Sequence, residues 1–158
     1  MKVRVAVLAD CANVTADGKL NIMGVFNVIN AHQVPVTHSQ MQLVLSLVPD
    51  PWEVTTTVPL EIQLVDSDGR VLFGLKGQVS VGAAKGGEQA TANYLLGLNN
   101  TVFERYGSFE FKVLANDEPF VTIPLLVQPA PHGDTEQGDF MRWFVEDRGL
   151  GGPLIVGF

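Results

Sequence analysis

The chain has 158 residues, enough for one domain with a sizeable core, and 46% of them are apolar against 17% charged. A formal net charge of −7, with ten Lys and Arg in all and no basic cluster, argues against a phosphate-binding surface and hence against nucleic acid as a partner. Sixteen Gly and nine Pro scattered between short apolar runs favour many turns over long helices, and a lone Cys suits a reducing compartment.

Residues 2–11 alternate in the manner of a strand. Arg4 and Asp10 interrupt the apolar run, which is also too short for a signal h-region, so the expectation is a cytoplasmic protein beginning at Met1. No run reaches membrane-spanning length, and no membrane partner is expected.

Residues 1–32 read as one long β-hairpin around Asp17-Gly18. Asp-Gly suits a two-residue type I′ turn, in which both central residues take positive φ. That turn predicts Val7 opposite Val28, Ala9 opposite Phe26 and Asn13 opposite Ile22. It also predicts a core face made of Val3, Val5, Val7, Ala9 and Cys11, joined by Leu20, Ile22, Phe26 and Val28. The other face, with Leu8, Met23, Val25 and Ile29, is mixed. A bulge would exchange the faces beyond it.

Pro35 excludes a central strand from the connection that follows. Residues 41–48 form a nearly continuous apolar run of strand length. Leu60, Ile62 and Leu64 alternate with Glu61 and Gln63, the cleanest half-buried strand. Asp66-Ser67-Asp68-Gly69-Arg70 turns the chain into Val71, Phe73, Leu75, Val79 and Val81, a second hairpin. After a glycine-rich loop at 82–88, period two returns at Ala90, Ala92, Tyr94, Leu96 and Leu98, and Asn99-Asn100 is expected to end that strand. Phe109, Phe111 and Val113 follow, then a tight turn at residues 116–119 and a closing strand over 120–127. The sum is about eight strands with turns at the spacing of a two-sheet sandwich.

From Gln128 the character changes, so the chain divides into a sandwich domain (1–128) and a C-terminal extension (129–158). Phe140, Trp143 and Phe144 share one face of a short helix over 134–148, with Gly149 placed to end it. Leu154, Ile155, Val156 and Phe158 make the last segment apolar to its final residue. Such a segment needs a host surface, either on its own sandwich or along a neighbouring subunit's sheet edge.

Three blocks carry a family likeness: residues 9–26 (Ala-Asp-Cys-Ala-Asn-Val-Thr-Ala-Asp-Gly-Lys-Leu-Asn-Ile-Met-Gly-Val-Phe), with Pro35 and His38 behind them; residues 60–73; and residues 106–120 followed by Pro124-Leu125-Leu126-Val127. Over about residues 3–127 the chain resembles an uncharacterised, mostly bacterial family of small proteins. The resemblance implies a cytoplasmic, immunoglobulin-like β-sandwich and brings no catalytic residues with it.

Motifs that could carry chemistry have plainer readings. Asp66-Ser67-Asp68-Gly69 lacks the rest of a calcium loop and reads as a turn. His32, His38 and His132 lack close ligand spacing, so no metal or other cofactor is expected. Cys11 on the predicted core face reads as a buried, inert thiol. The loop at 82–88 lacks the order of a phosphate-binding loop and a following helix. Trp52, after Pro51, reads as a lid over one sandwich end.

The expectation is therefore an all-β, two-sheet, immunoglobulin-like sandwich with a C-terminal helix and apolar tail. Its expected function is non-enzymatic: a structural interaction module that forms a homo-oligomer through that tail. The alternative is a small-ligand-binding sandwich that uses loop ends near Trp52, His32 and His38.

Overall fold

The computed structural model describes residues 1–50, 53, 56–80 and 90–131. Among the described residues nine strands follow in order: β1 (Lys2–Val14), β2 (Leu20–Phe26), β3 (Val28–Ala31), β4 (Val36–Val48), β5 (Thr57–Asp66), β6 (Val71–Ser80), β7 (Ala92–Phe103), β8 (Gly107–Ala115) and β9 (Glu118–Pro129). They form a four-stranded sheet, β2-β1-β4-β7, and a five-stranded sheet, β3-β9-β8-β5-β6. Over the described residues the fold is all-β and sandwich-like, with a main core between the sheets. Among the described residues no helix is long and apolar enough to cross a membrane.

Alternation builds that core. Leu43, Leu45 and Leu47 of β4 point inward with Leu8, and meet Ile62, Leu64, Phe111 and Leu125 from the other sheet. Each such side chain, fully removed from water, contributes about 1.5–3 kcal/mol of transfer free energy. Phe103 meets Phe109 edge-on at 5.1 Å between ring centres, the geometry that aromatic quadrupoles favour. Val44, between inward-facing Leu43 and Leu45, points the other way. With Ala9 and Ala12 it forms a second, smaller cluster on the outer face of the four-stranded sheet, against which Val7, Leu20, Ile22 and Leu95 pack.

The N-terminal hairpin differs from expectation in three ways. Its register is one residue off: Val14 faces Leu20, Asn13 faces Asn21, and Ala9 faces Val25. The cause is a three-residue loop in place of a two-residue one. Gly18 donates its N–H to the Thr15 carbonyl and takes φ +84°, while the Thr15 hydroxyl accepts the Lys19 N–H at 3.0 Å. Only one left-handed residue is then needed, which Asp-Gly serves equally well. The type I′ turn lies instead between β8 and β9, where Asn116 (φ +53°) and Asp117 (φ +64°) are both left-handed.

Secondly, the second run is not one strand. It breaks at Asn27, whose carbonyl accepts the Leu126 N–H, and β3 leaves for the other sheet to pair in parallel with β9. Val28 therefore faces Leu126, and Val7 faces Val44 of β4. This split is why nine strands appear where about eight were expected.

Thirdly, the expected core face is largely the outer one. Leu8 and Ile29 are buried in the main core, whereas Val3 is exposed and Cys11 half-buried. Leu8 and Ala12 have the same parity yet serve opposite faces, so the ribbon turns over between them. The turnover sits where Gly24 (φ +68°) opposes Asp10; a Cβ there would lie 2.7 Å from the Asp10 Cγ. A similar reversal occurs in β7. The strand does not end at Asn99-Asn100 but runs on through Asn100 (φ +52°), carrying Leu98 and then Phe103 into the core.

Candidate functional site

Each sheet has two edges, and they are protected unequally. In the five-stranded sheet, β3 is only four residues long and β6 carries Lys76. Shortness and charge both discourage pairing with another chain. The four-stranded sheet has no such protection: β2 (LNIMGVF) and β7 (ANYLLGLNNTVF) contain neither charge nor proline. On β2, Met23 at 58% and Val25 at 60% are the most exposed large apolar residues among those described. Val14, opposite Leu20 at the hairpin end, is exposed as well.

A second feature lies on the side where the edges β6 and β7 face each other. At one end the strands are closely apposed. A Cβ on Gly77 would collide with the Tyr94 hydroxyl and lie 3.2 Å from its Cζ, so the missing side chain is what lets the phenol cross to β6. Away from that contact the edges diverge and leave a cleft of about 610 Å³. Leu64, Leu72, Phe73, Leu98 and Phe109 form an apolar part of its lining.

The far end of the cleft is ionic. Asp66 is the turn residue of the β5–β6 hairpin: its Oδ1 accepts the backbone N–H of Asp68 at 3.0 Å and of Arg70 at 2.9 Å, and Gly69 takes φ +81°. The turn reading of this motif is what the structure shows. Arg105, from the β7–β8 connection, places its guanidinium 3.0 Å from the Asp66 carboxylate and 2.6 Å from that of Asp68. Burial pushes the Asp66 carboxyl up, but the N–H groups of Arg70 and Asp68 and the positive charges of Arg105 and Arg70 outweigh it, leaving it below its ordinary value. The hydrogen bond and charge of Asp68, followed by those of Asp66, raise the Arg105 guanidinium further. Arg105 thus joins one sheet's hairpin turn to the strand connection leading from the other.

The remaining candidates are dispersed. His32 is exposed, whereas the His38 ring lies 5.5 Å from that of Phe26, with Nε2 buried and lacking a hydrogen-bond partner among the described residues. Among the described residues no three of His, Cys, Asp and Glu gather as metal ligands would. Cys11 is half-buried opposite Met23, not in the main core. Trp52, His132, the loop at 82–88 and the interaction residues Phe140, Trp143, Phe144, Leu154, Ile155, Val156 and Phe158 lie outside the described residues.

Sequence reasoning missed the cleft. Gly77 inside an otherwise regular strand was the available signal, since an interior glycine often marks close approach of another group. The Arg105 contacts offer no such clue, because they join residues 39 and 37 positions apart.

The model of DUF6941, a family of unknown function, matches residues 4–128, nearly the span over which the sequence blocks suggested an uncharacterised family. No curated protein matches the chain. With most of its length matched, this chain belongs to the family of unknown function DUF6941.

Proposed function

We propose that the chain is a non-enzymatic interaction module that self-associates by strand addition, with residues 153–158 of one copy lying along β2 of another. The observation that carries this is the β2 edge, seven residues without charge or proline that expose Met23 and Val25. Six tail residues in extended form span about 20 Å, the length of such an edge. Main-chain hydrogen bonds would supply affinity, and apolar tail side chains meeting Val25 on one face of the edge and Met23 on the other would supply selectivity. A helix over 134–148 would then bring Phe140, Trp143 and Phe144 to the neighbouring apolar cluster around Val44. Reciprocal exchange between two copies gives a closed dimer.

Two finer readings accompany this one. The layers of four and five strands fit an immunoglobulin-like sandwich of the nine-strand type. The single cysteine fits a reducing, cytoplasmic setting. Non-enzymatic character is supported by Arg105, Asp66 and Asp68, which engage one another and so serve the hairpin turn.

Light scattering on the full chain, on a chain ending at Pro131, and on Val25→Lys tests the proposal. The full chain is expected as a dimer or larger, and both variants as folded monomers with unchanged circular dichroism. Equal masses for all three would sink the reading.

A further inference from the structure

We infer that the lateral cleft between β6 and β7 is a binding site for a small organic cation with an apolar body. This goes beyond self-association and rests on different residues. Shape comes first. The cleft lies between residues 71–75 of β6 and 97–102 of β7, and Arg105 against Asp66 and Asp68 stands at one end of it. Its volume of about 610 Å³ falls within the roughly 300–1,000 Å³ of sites that enclose drug-sized ligands.

The lining sets the body of that ligand. Leu64, Leu72, Leu98 and Phe109 offer apolar surface beside a polar rim, so the guest needs a hydrocarbon or aromatic part as well as a polar one. Its charge follows from the rim. Three carboxylates (Asp66, Asp68, Glu104) and two guanidiniums (Arg70, Arg105) border the cleft. Arg105 is held by two of the carboxylates at once, and Glu104 has no cationic partner within 4 Å among the described residues. The rim therefore carries an excess negative charge, on a chain whose formal net charge is −7. Both terms favour a cation, the second by raising its concentration near the surface. Phe73, half-buried in the lining, adds an aromatic ring that attracts a desolvated cation.

The test uses the full chain and two probes of nearly equal size and opposite charge, tetraphenylphosphonium and tetraphenylborate. Titration calorimetry and backbone amide shifts in two-dimensional NMR give the readout. The phosphonium is expected to bind in preference to the borate, with shifts concentrated at Leu72, Phe73, Leu75 and residues 97–102. Glu104→Gln should weaken phosphonium binding about threefold, the range of a solvent-accessible charge pair. Leu75→Lys, on an edge residue that is 40% exposed, should weaken it about tenfold or more by placing like charge in the cleft. No binding of the phosphonium, equal binding of both probes, shifts centred elsewhere, or indifference to both variants overturns the inference.

Discussion

Gly77 offers the sharpest test of the packing, because the structure supplies its own control. In an unstrained strand position, Gly→Ala stabilises by about 0.4–1 kcal/mol, mainly by restricting the unfolded chain. Gly97 is such a position, since a Cβ there meets nothing within 4 Å. At Gly77 the same methyl group would overlap the Tyr94 hydroxyl. Forcing an extra methyl into a filled site costs about 1–3 kcal/mol, which outweighs the entropic gain. Gly77→Ala should therefore destabilise by about 1–2 kcal/mol, or about 2–8 °C in Tm. Tyr94→Phe removes the offending oxygen and leaves the ring carbon 3.2 Å away, tight but adjustable. In that background Gly77→Ala should become nearly neutral, a coupling of about 1–2 kcal/mol between residues in contact. Urea denaturation followed by far-UV circular dichroism on the four variants and on Gly97→Ala measures every term. If the Gly77 and Gly97 substitutions act alike, or the cycle shows no coupling, β6 and β7 are not joined as described.

Three further predictions follow from other parts of the molecule. Leu8→Ala should cost about 2–5 kcal/mol because Leu8 is fully buried, whereas Met23→Ala should stay within about 0.5 kcal/mol; the reverse order would restore the face assignment read from alternation. Asp66 is held below its ordinary value, so its contribution is complete above about pH 4 and is lost as pH falls through the folded-state value. Asp66→Asn should accordingly flatten the acid limb of the stability curve below about pH 4, and an unaltered limb in urea titrations would refute the assignment. Asp117 is left-handed without being glycine, so Asp117→Gly should stabilise by up to about 1 kcal/mol and Asp117→Val should destabilise, both read from denaturation midpoints.

How much of this could be read from the sequence depended on whether the deciding contact was local. Leu60, Ile62 and Leu64 were placed correctly because one face of β5 meets the core and its alternation says so. Asp66-Ser67-Asp68-Gly69 was read correctly because the side chain caps its own turn. Asp17-Gly18 misled by a single residue, since the same dipeptide serves both loop lengths and the difference rests on the Thr15 hydroxyl. That error, compounded by the turnover at Asp10 and Gly24, moved Leu8 to the wrong side. The break at Asn27 has no local signature. Its cause is a carbonyl bond to Leu126, about a hundred residues away, and no window of sequence contains both partners. The cleft was hidden for the same reason, because its walls come from strands that meet only after both sheets have formed.

The parallel pairing of β3 with β9 also fixes when the molecule can be finished. Val28 to Ala31 leave the ribosome about a hundred residues ahead of their partners, Leu126 to Pro129. Translation at roughly 5–20 residues per second leaves the early segment waiting several seconds for its mate. Pairs this distant in the chain are among the slowest to form, because the intervening loop must be closed before any bond rewards it. Until then Ile29, destined for the interior, stays wet on the nascent chain. Chaperone occupancy during synthesis should accordingly centre on the stretch around residue 29 and end only once the ninth strand has emerged.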